Sequence, residues 1–203
     1  VGTQHGRGAR GLALGAARGR LYVLSRFDNA VAVLDLATGA EVAHVPMFNP
    51  EPAVVVAGRR FLYDARASSA NGEASCASCH VFGDLDHLAW DLGNPDGDVS
   101  QSPIEVLLGA AAGGFSPPIN GTGRAADFHP MKGPMTTQTL RGMVNSGAQH
   151  WRGDRATGVY GDDPTDARLS FRNFVVAFEG LLGRASVISD DDMNAFTEFA
   201  MAL

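Results

Sequence analysis

Cysteine is almost absent from this chain of 203 residues, which contains only Cys76 and Cys79. So small a number excludes a disulfide-rich scaffold. Lysine is scarcer still: Lys132 is the single lysine, whereas there are fifteen arginines. With a net charge of −6 and no clustered basic stripe, the sequence predicts no nucleic-acid partner. No run approaches the roughly 18 apolar residues of a membrane helix, so no membrane span is expected.

The overall composition is typical of a globular protein, with 45% hydrophobic and 19% charged residues. The length allows one large or two small domains. The first residues, from Val1 to Arg7, lack the basic and apolar regions of a signal peptide, so we expect that a leader has been removed or that the chain is a piece of a longer protein. The last residue, Leu203, lies within an apolar-periodic segment, which also permits truncation at this end.

Four short strands are predicted for the first 45 residues, because short apolar runs alternate with turn signals. The runs are residues 12–14, 21–24, 31–34 and 41–45. Such a β-meander has the length of one propeller blade, and residues 20–29 and 33–39 resemble the repeat of the YVTN-type β-propellers. Since one blade cannot bury both faces of its sheet, this resemblance implies docking on a larger β structure. The alternative is a small antiparallel sheet packed on the following domain.

Prolines at positions 46, 50 and 52 mark a boundary and divide the chain into a β-meander, residues 1–49, and a second domain, residues 50–203. Helical periodicity favours helices at Ala53–Ala65, near Pro103–Ala112, at Ser170–Leu182 and at Asp190–Leu203, the last with Ser189 as N-cap. Most of residues 83–138 should be loop. The predicted fold class is therefore α+β, mainly α and loop-rich, with a short N-terminal antiparallel β-meander.

Two of these helices, Ala53–Ala65 and Asp190–Leu203, are expected to pack against each other. Gly58 would allow a close approach of the two backbones, and Phe196 and Phe199 would supply the apolar bulk.

The two cysteines belong to one motif, Cys76-Ala77-Ser78-Cys79-His80, which is the C-x-x-C-H attachment signature of c-type haem. Thiols three positions apart can add to the two vinyl groups, and the histidine that follows is placed to bind the iron. A structural zinc site needs four ligands, and there is no second cysteine pair. A thioredoxin-like pair would follow a strand, whereas these cysteines follow a polar loop after a helix. The sequence therefore predicts one covalent haem c held by Cys76, Cys79 and His80.

An electron-transfer haem needs a sixth iron ligand, for which methionine or histidine is usual. Met135 fits best, because Gly133-Pro134 before it and Thr136-Thr137 after it favour an extended loop. The alternatives are Met131 and His129, then His87, His150 or an open sixth position.

Three further side chains are candidates for the surroundings of the haem. Trp90 is close enough in sequence to the motif to line the pocket, and Trp151 and Arg152 could lie near a haem propionate. The alternative for the second group is that Trp151 packs under a loop with its neighbouring arginines paired to Asp154 or Asp163. The oxygen-rich loop at residues 91–98 could hold Ca²⁺, although it lacks the register of an EF-hand, and a solvated turn is the alternative.

Residues 61–66, 75–80 and 151–155 resemble the N-terminal haem domain of the bacterial dihaem cytochrome c peroxidase/MauG superfamily, particularly its members fused to a β-propeller. The resemblance runs from about Arg59 to the end of the chain. It implies an electron-entry haem and a second, reactive haem. This chain departs from that pattern because it contains one motif, so a full two-haem peroxidase cannot be built from it.

Together these features predict an electron-transfer c-type cytochrome with a His/Met-ligated haem, exchanging electrons with a redox partner protein or another haem. One alternative is the haem domain of a dihaem peroxidase or MauG-like enzyme whose second haem lies in a missing segment or a partner chain. Another is a haem-bearing assembly module of a larger propeller protein or filament. Because thioether attachment takes place outside the cytoplasmic membrane in bacteria, a periplasmic or extracellular location is expected.

Overall fold

The computed structural model describes residues 8–92, 133–147, 149–151, 155, 163 and 165–203. Within them, 35% of the residues are helical and 22% are in strands. The chain is therefore a mixed α+β protein, and the predicted excess of helix is not confirmed. The helix predicted near Pro103–Ala112 and most of the predicted loop region lie outside the described residues.

The N-terminal part forms the predicted β-meander. Its strands are β1 (Ala9–Gly15), β2 (Arg20–Ser25), β3 (Ala30–Asp35) and β4 (Glu41–Pro46), antiparallel in the order β1-β2-β3-β4. Paired residues share a face of the sheet, and the register places Leu12, Val23 and Ala32 side by side. Val23 and Ala32 on the central strands are buried, whereas Leu12 on the edge strand is 70% exposed. The sheet buries a small apolar centre and leaves apolar side chains of β1 in solvent.

The sheet contacts the helical part of the chain through arginines. Arg59 donates a hydrogen bond of 3.0 Å to the carbonyl oxygen of Arg26, and it also pairs with Glu51. The Arg26 guanidinium lies 3.5 Å from the centre of the Tyr63 ring. These contacts cross the predicted boundary at residues 49 and 50 and fix the sheet against the first helix.

Five α-helices follow the sheet in the described residues. They are α1 (Ala53–Tyr63), α2 (Ala65–Ser68), α3 (Ala167–Arg172), α4 (Ala177–Gly180) and α5 (Asp190–Met201), with a 3₁₀ segment, Asn173–Val176, between α3 and α4. The Ser189 hydroxyl accepts a hydrogen bond from the Asp192 amide at 3.2 Å, which confirms the predicted N-cap of α5. No helix of the described residues is long and apolar enough to cross a membrane.

Two predicted helices are interrupted, each for a local reason. The helix predicted over Ala53–Ala65 ends at Tyr63, because Asp64 has extended backbone angles and its carboxylate caps α2 by accepting from the Arg66 amide at 3.0 Å. The segment predicted as one helix over Ser170–Leu182 begins earlier, at Ala167, because the Asp166 carboxylate accepts from the amides of Arg168 and Leu169. It then tightens to 3₁₀ geometry before α4.

The predicted pairing of α1 with the C-terminal helix is confirmed. A Cβ atom at Gly58 would lie 1.9 Å from the carbonyl oxygen of Ala195, so the backbones meet at a distance that only glycine permits. Phe196 and Phe199 are both buried. The Phe61 ring packs edge-on against Phe178, and its centroid lies 6.1 Å from that of Phe196. This aromatic cluster is the main core, and one side of it borders the cavity described next.

Candidate cofactor site

The cysteine motif forms a compact turn. Cys76–Ser78 is a 3₁₀ segment, and the His80 amide donates a hydrogen bond of 2.8 Å to the carbonyl oxygen of Cys76. The turn is closed on its N-terminal side, because the Ser75 amide donates to the Ser78 hydroxyl at 3.1 Å. This geometry places both cysteines and the histidine on the wall of the same cavity.

The cavity has a volume of about 410 Å³. This lies within the roughly 300–1,000 Å³ of pockets that bind cofactors and other small molecules. Most of its wall is apolar, contributed by Leu140, Met143, Phe171, Phe174, Phe178 and Phe196. Four of these side chains, Met143, Phe171, Phe178 and Phe196, also belong to the main core, so the cavity is held by the packing of α3, α4 and α5.

Both thiols are kept in their neutral form by the cavity. Burial raises the pKa of Cys76 to about 12. Burial also raises the pKa of Cys79, and the negative charge of Asp86 acts in the same direction. The two cysteines are not joined in a disulfide. At neutral pH the site therefore presents two protonated thiols beside an apolar space.

His80 is held by a long-range hydrogen bond. Its Nδ1 lies 2.8 Å from the carbonyl oxygen of Gln138, which can only accept, so Nδ1 carries the proton and Nε2 carries the lone pair. Burial lowers the pKa of His80 and outweighs the opposing effects of the Gln138 carbonyl and Asp86. The ring is therefore neutral at neutral pH, which is the form that binds a metal.

A two-stranded ribbon carries two of the predicted site residues to the cavity, and a third is hydrogen-bonded to it. Strand β5 (Ala89–Asp91) pairs with β6 (Pro134–Thr136), and Trp90 lies opposite Met135. The Trp90 indole nitrogen donates to the carboxylate of Asp86 at 2.7 Å, and that of Trp151 donates to the carbonyl oxygen of Thr136 at 2.9 Å. Met135 is thus on a short strand rather than in the predicted extended loop, because its neighbours pair with β5.

Several predicted site residues meet at this cavity. Cys76, Cys79, His80, Met135, Trp90 and Trp151 all line it, and so does His150. Trp151 is 58% exposed, so the alternative in which it packs beneath a loop is wrong. His87 is exposed and does not line the cavity. Arg152, Met131 and His129 lie outside the described residues, as does most of the proposed Ca²⁺ loop at residues 91–98.

Two cavity residues were not singled out from the sequence as site residues. Met143 is 6% exposed and lies in a turn after β6. Arg155 is 2% exposed, its guanidinium lies 5.1 Å from the centre of the Phe174 ring, and its carbonyl oxygen accepts from the Asn173 side chain at 2.8 Å. In the sequence Arg155 belongs to the segment 151–155 that carries the family resemblance and to the arginines around Trp151. Arg155 thus adds a buried positive charge to the mostly apolar wall.

Comparison with known proteins gives no further guide to this site. No protein-family model matches the chain, and no curated protein or solved structure matches it significantly. In the part of the chain that the structure describes, no three side chains of the His, Cys, Asp and Glu types are grouped to hold a bare metal ion. The resemblances to dihaem peroxidases and to propeller blades therefore stay predictions.

Proposed function

We propose that the chain is an electron-transfer c-type cytochrome, with a mainly α, loop-rich haem domain that carries one covalent haem. The observation that supports this most directly is that Cys76, Cys79 and His80 line the same largely apolar cavity as Met135. A C-x-x-C-H motif on an exposed, flat surface would not offer the dry environment that such a cofactor needs.

The residues of the cavity fit the chemistry of this group. Cys76 and Cys79 are not joined in a disulfide, so each thiol could add across one vinyl group, its sulfur bonding to one vinyl carbon and its hydrogen passing to the other. His80 would bind the iron through Nε2, and the hydrogen bond from Nδ1 to Gln138 fixes the plane of the ring and increases its basicity. The haem supplies the one-electron couple between ferric and ferrous iron.

The other cavity residues would set the reduction potential of the haem iron. Met135 is the proposed sixth ligand, since it lines the cavity and its backbone is held by pairing with Trp90. A thioether ligand raises the reduction potential relative to a second histidine. The buried guanidinium of Arg155 would offset the negative charge of a propionate, the role predicted from sequence for Arg152.

Electron exchange needs a route between the cavity and the surface. Trp90 and Trp151 line the cavity and are 40% and 58% exposed, so both rings reach solvent beside it. We infer that a redox partner protein, or another haem, approaches at this ribbon. Because c-type haem is attached outside the cytoplasmic membrane in bacteria, the proposed location is periplasmic or extracellular.

The absorption spectrum of the oxidised holoprotein tests this function against peroxidase chemistry. We expect a six-coordinate, low-spin spectrum with the weak near-infrared band of methionine–iron ligation. Met135→Ala should abolish that band and lower the reduction potential by part of the roughly 0.8 V that axial ligands span. The matched variant Met143→Ala removes a thioether from the same cavity and should keep the band.

Other spectra would contradict the proposal in identifiable ways. A high-spin haem that reacts with cyanide or peroxide would favour the dihaem peroxidase alternative. A low-spin spectrum whose near-infrared band survives Met135→Ala but disappears in Met131→Ala or Met143→Ala would assign the sixth ligand elsewhere. Absence of the band from a low-spin parent protein would exclude methionine as the ligand, and a change of that parent to high spin in His150→Ala would then assign His150 as the ligand.

A further inference from the structure

A second cavity lies between the sheet and the helices. It has a volume of about 360 Å³ and shares no lining residue with the cofactor site. Three arginines line it, Arg10 from β1, Arg26 after β2 and Arg59 from α1. Such a concentration of positive charge is unusual in a chain whose net charge is −6.

The positive charge of this cavity is only partly balanced. Glu51, the one acidic residue among those lining it, is paired with Arg59. Neither Arg10 nor Arg26 forms an ion pair with an acidic side chain of the described residues. Two guanidinium charges are therefore in excess, and like charges at close range repel unless an anion lies between them.

Aromatic rings hold both excess guanidiniums in place, and that of Arg26 is also partly buried. The Arg26 guanidinium lies 3.5 Å from the centre of the Tyr63 ring, and that of Arg10 lies 5.4 Å from the centre of Phe82. Burial lowers the pKa of Arg26; Tyr63 raises it, and the charges of Arg10 and Arg59 lower it again. A guanidinium packed on a ring keeps its edge for hydrogen bonds in the plane, and that edge matches two oxygens of a carboxylate or phosphate.

We propose that this cavity binds a small dianion that presents carboxylate or phosphate oxygens to Arg10 and Arg26. Leu24 and Phe199 complete the wall with apolar surface, which excludes water from one side of the ligand and strengthens its attraction to the arginines. The volume admits a phosphate or a dicarboxylate of a few carbons. Because the two cavities have no residue in common, this site does not depend on the proposed haem.

Calorimetric titration of the full chain with inorganic phosphate and, separately, with succinate tests the proposal, with sodium chloride holding the ionic strength constant. We expect saturable binding of one equivalent of at least one of the two anions. Arg26→Gln should weaken it about tenfold or more, the usual effect of losing a hydrogen bond to a charged group. Arg18→Gln makes the same charge change at an exposed position in the turn between β1 and β2 and should bind as the parent does.

The titration separates the two ligand chemistries and can overturn the proposal. Preference for phosphate indicates a tetrahedral ligand, and preference for succinate indicates a dicarboxylate. Because Arg26 packs on Tyr63 and its loss could unfold the chain, Arg10→Gln provides a second variant at an exposed residue, with the same weakening expected. Absence of saturable binding of both anions, equal binding by the parent and Arg10→Gln, or an equal loss in Arg18→Gln would each contradict it.

Discussion

His80 depends on a carbonyl group 58 residues away in sequence, that of Gln138. The motif itself is local, so its thiols and imidazole could be recognised from the sequence alone. The carbonyl of Gln138 that holds His80 and the side chain of Met143 could not, because both reach the cavity only through the folding of later segments. The sequence thus indicated the two cysteines and the histidine of the cavity but only part of the rest of its wall.

Asp35 illustrates how single residues stabilise the sheet. Its carboxylate accepts hydrogen bonds from the amides of Ala37 and Thr38 at 3.0 Å and from the Thr38 hydroxyl at 3.1 Å, and it pairs with Arg20. The hydrogen bonds from Thr38 are the main cause that lowers the pKa of Asp35 below its ordinary value of 3.8. A carboxyl whose pKa is lower in the folded state contributes stability above its unfolded pKa and loses it as the pH falls through the folded pKa.

We therefore predict that the free energy of unfolding falls as the pH is lowered below about 4. Asp35→Asn should be less stable than the parent at pH 7, and the difference between the two should shrink on acidification. Thr38→Ala keeps the carboxylate but removes the hydroxyl donor, so it should reproduce part of this change. Urea denaturation at pH 7 and at pH 3 measures the effect. An unchanged difference across this range would show that Asp35 is not the titrating group.

The helices and strands were predictable where the local pattern is strong. Short apolar runs separated by turn signals predicted all four strands of the meander, and Ser189 with three aspartates after it predicted the start of α5. The failures lie where a side chain caps a new helix within an apolar-periodic run, as Asp64 does. They also lie where the helix tightens to 3₁₀ geometry, as at Asn173–Val176. The spacing of apolar residues indicates neither a capping side chain nor a change from α-helical to 3₁₀ geometry.

The contact between α1 and α5 makes a prediction about Gly58. Its missing side chain lets the Ala195 carbonyl approach, and a Cβ there would also lie 2.8 Å from that of Phe199. We expect Gly58→Ala to lower the free energy of unfolding by about 1–3 kcal/mol, because the helices must separate. Gly11→Ala is the matched control, since its Cβ would lie 3.4 Å from the Cβ of Leu24 and requires little movement. Equal stability of the two variants in urea denaturation would contradict close packing at Gly58.

In the whole molecule, arginines join the β-meander to the helical part. A cavity lies on each side of α5: Phe196 lines the cofactor site, and Phe199 lines the second cavity with its three arginines. No local sequence pattern indicated that Arg10, Arg26 and Arg59 would meet. Contacts of the sheet with α1 agree with the alternative of a small sheet packed on the following domain. Leu12 and Leu14 remain 70% and 67% exposed, so docking of β1 on a further β structure stays a prediction.

Covalent attachment of haem is the central claim, and the intact mass of the chain tests it most directly. The chain is produced in a host with c-type cytochrome maturation, denatured and weighed beside the Cys76→Ser/Cys79→Ser double variant. We predict that the parent retains the mass of one haem, that each single cysteine variant can retain it through one thioether, and that the double variant loses it. An unmodified parent mass, obtained while a known c-type cytochrome matures normally in the same host, would contradict the account.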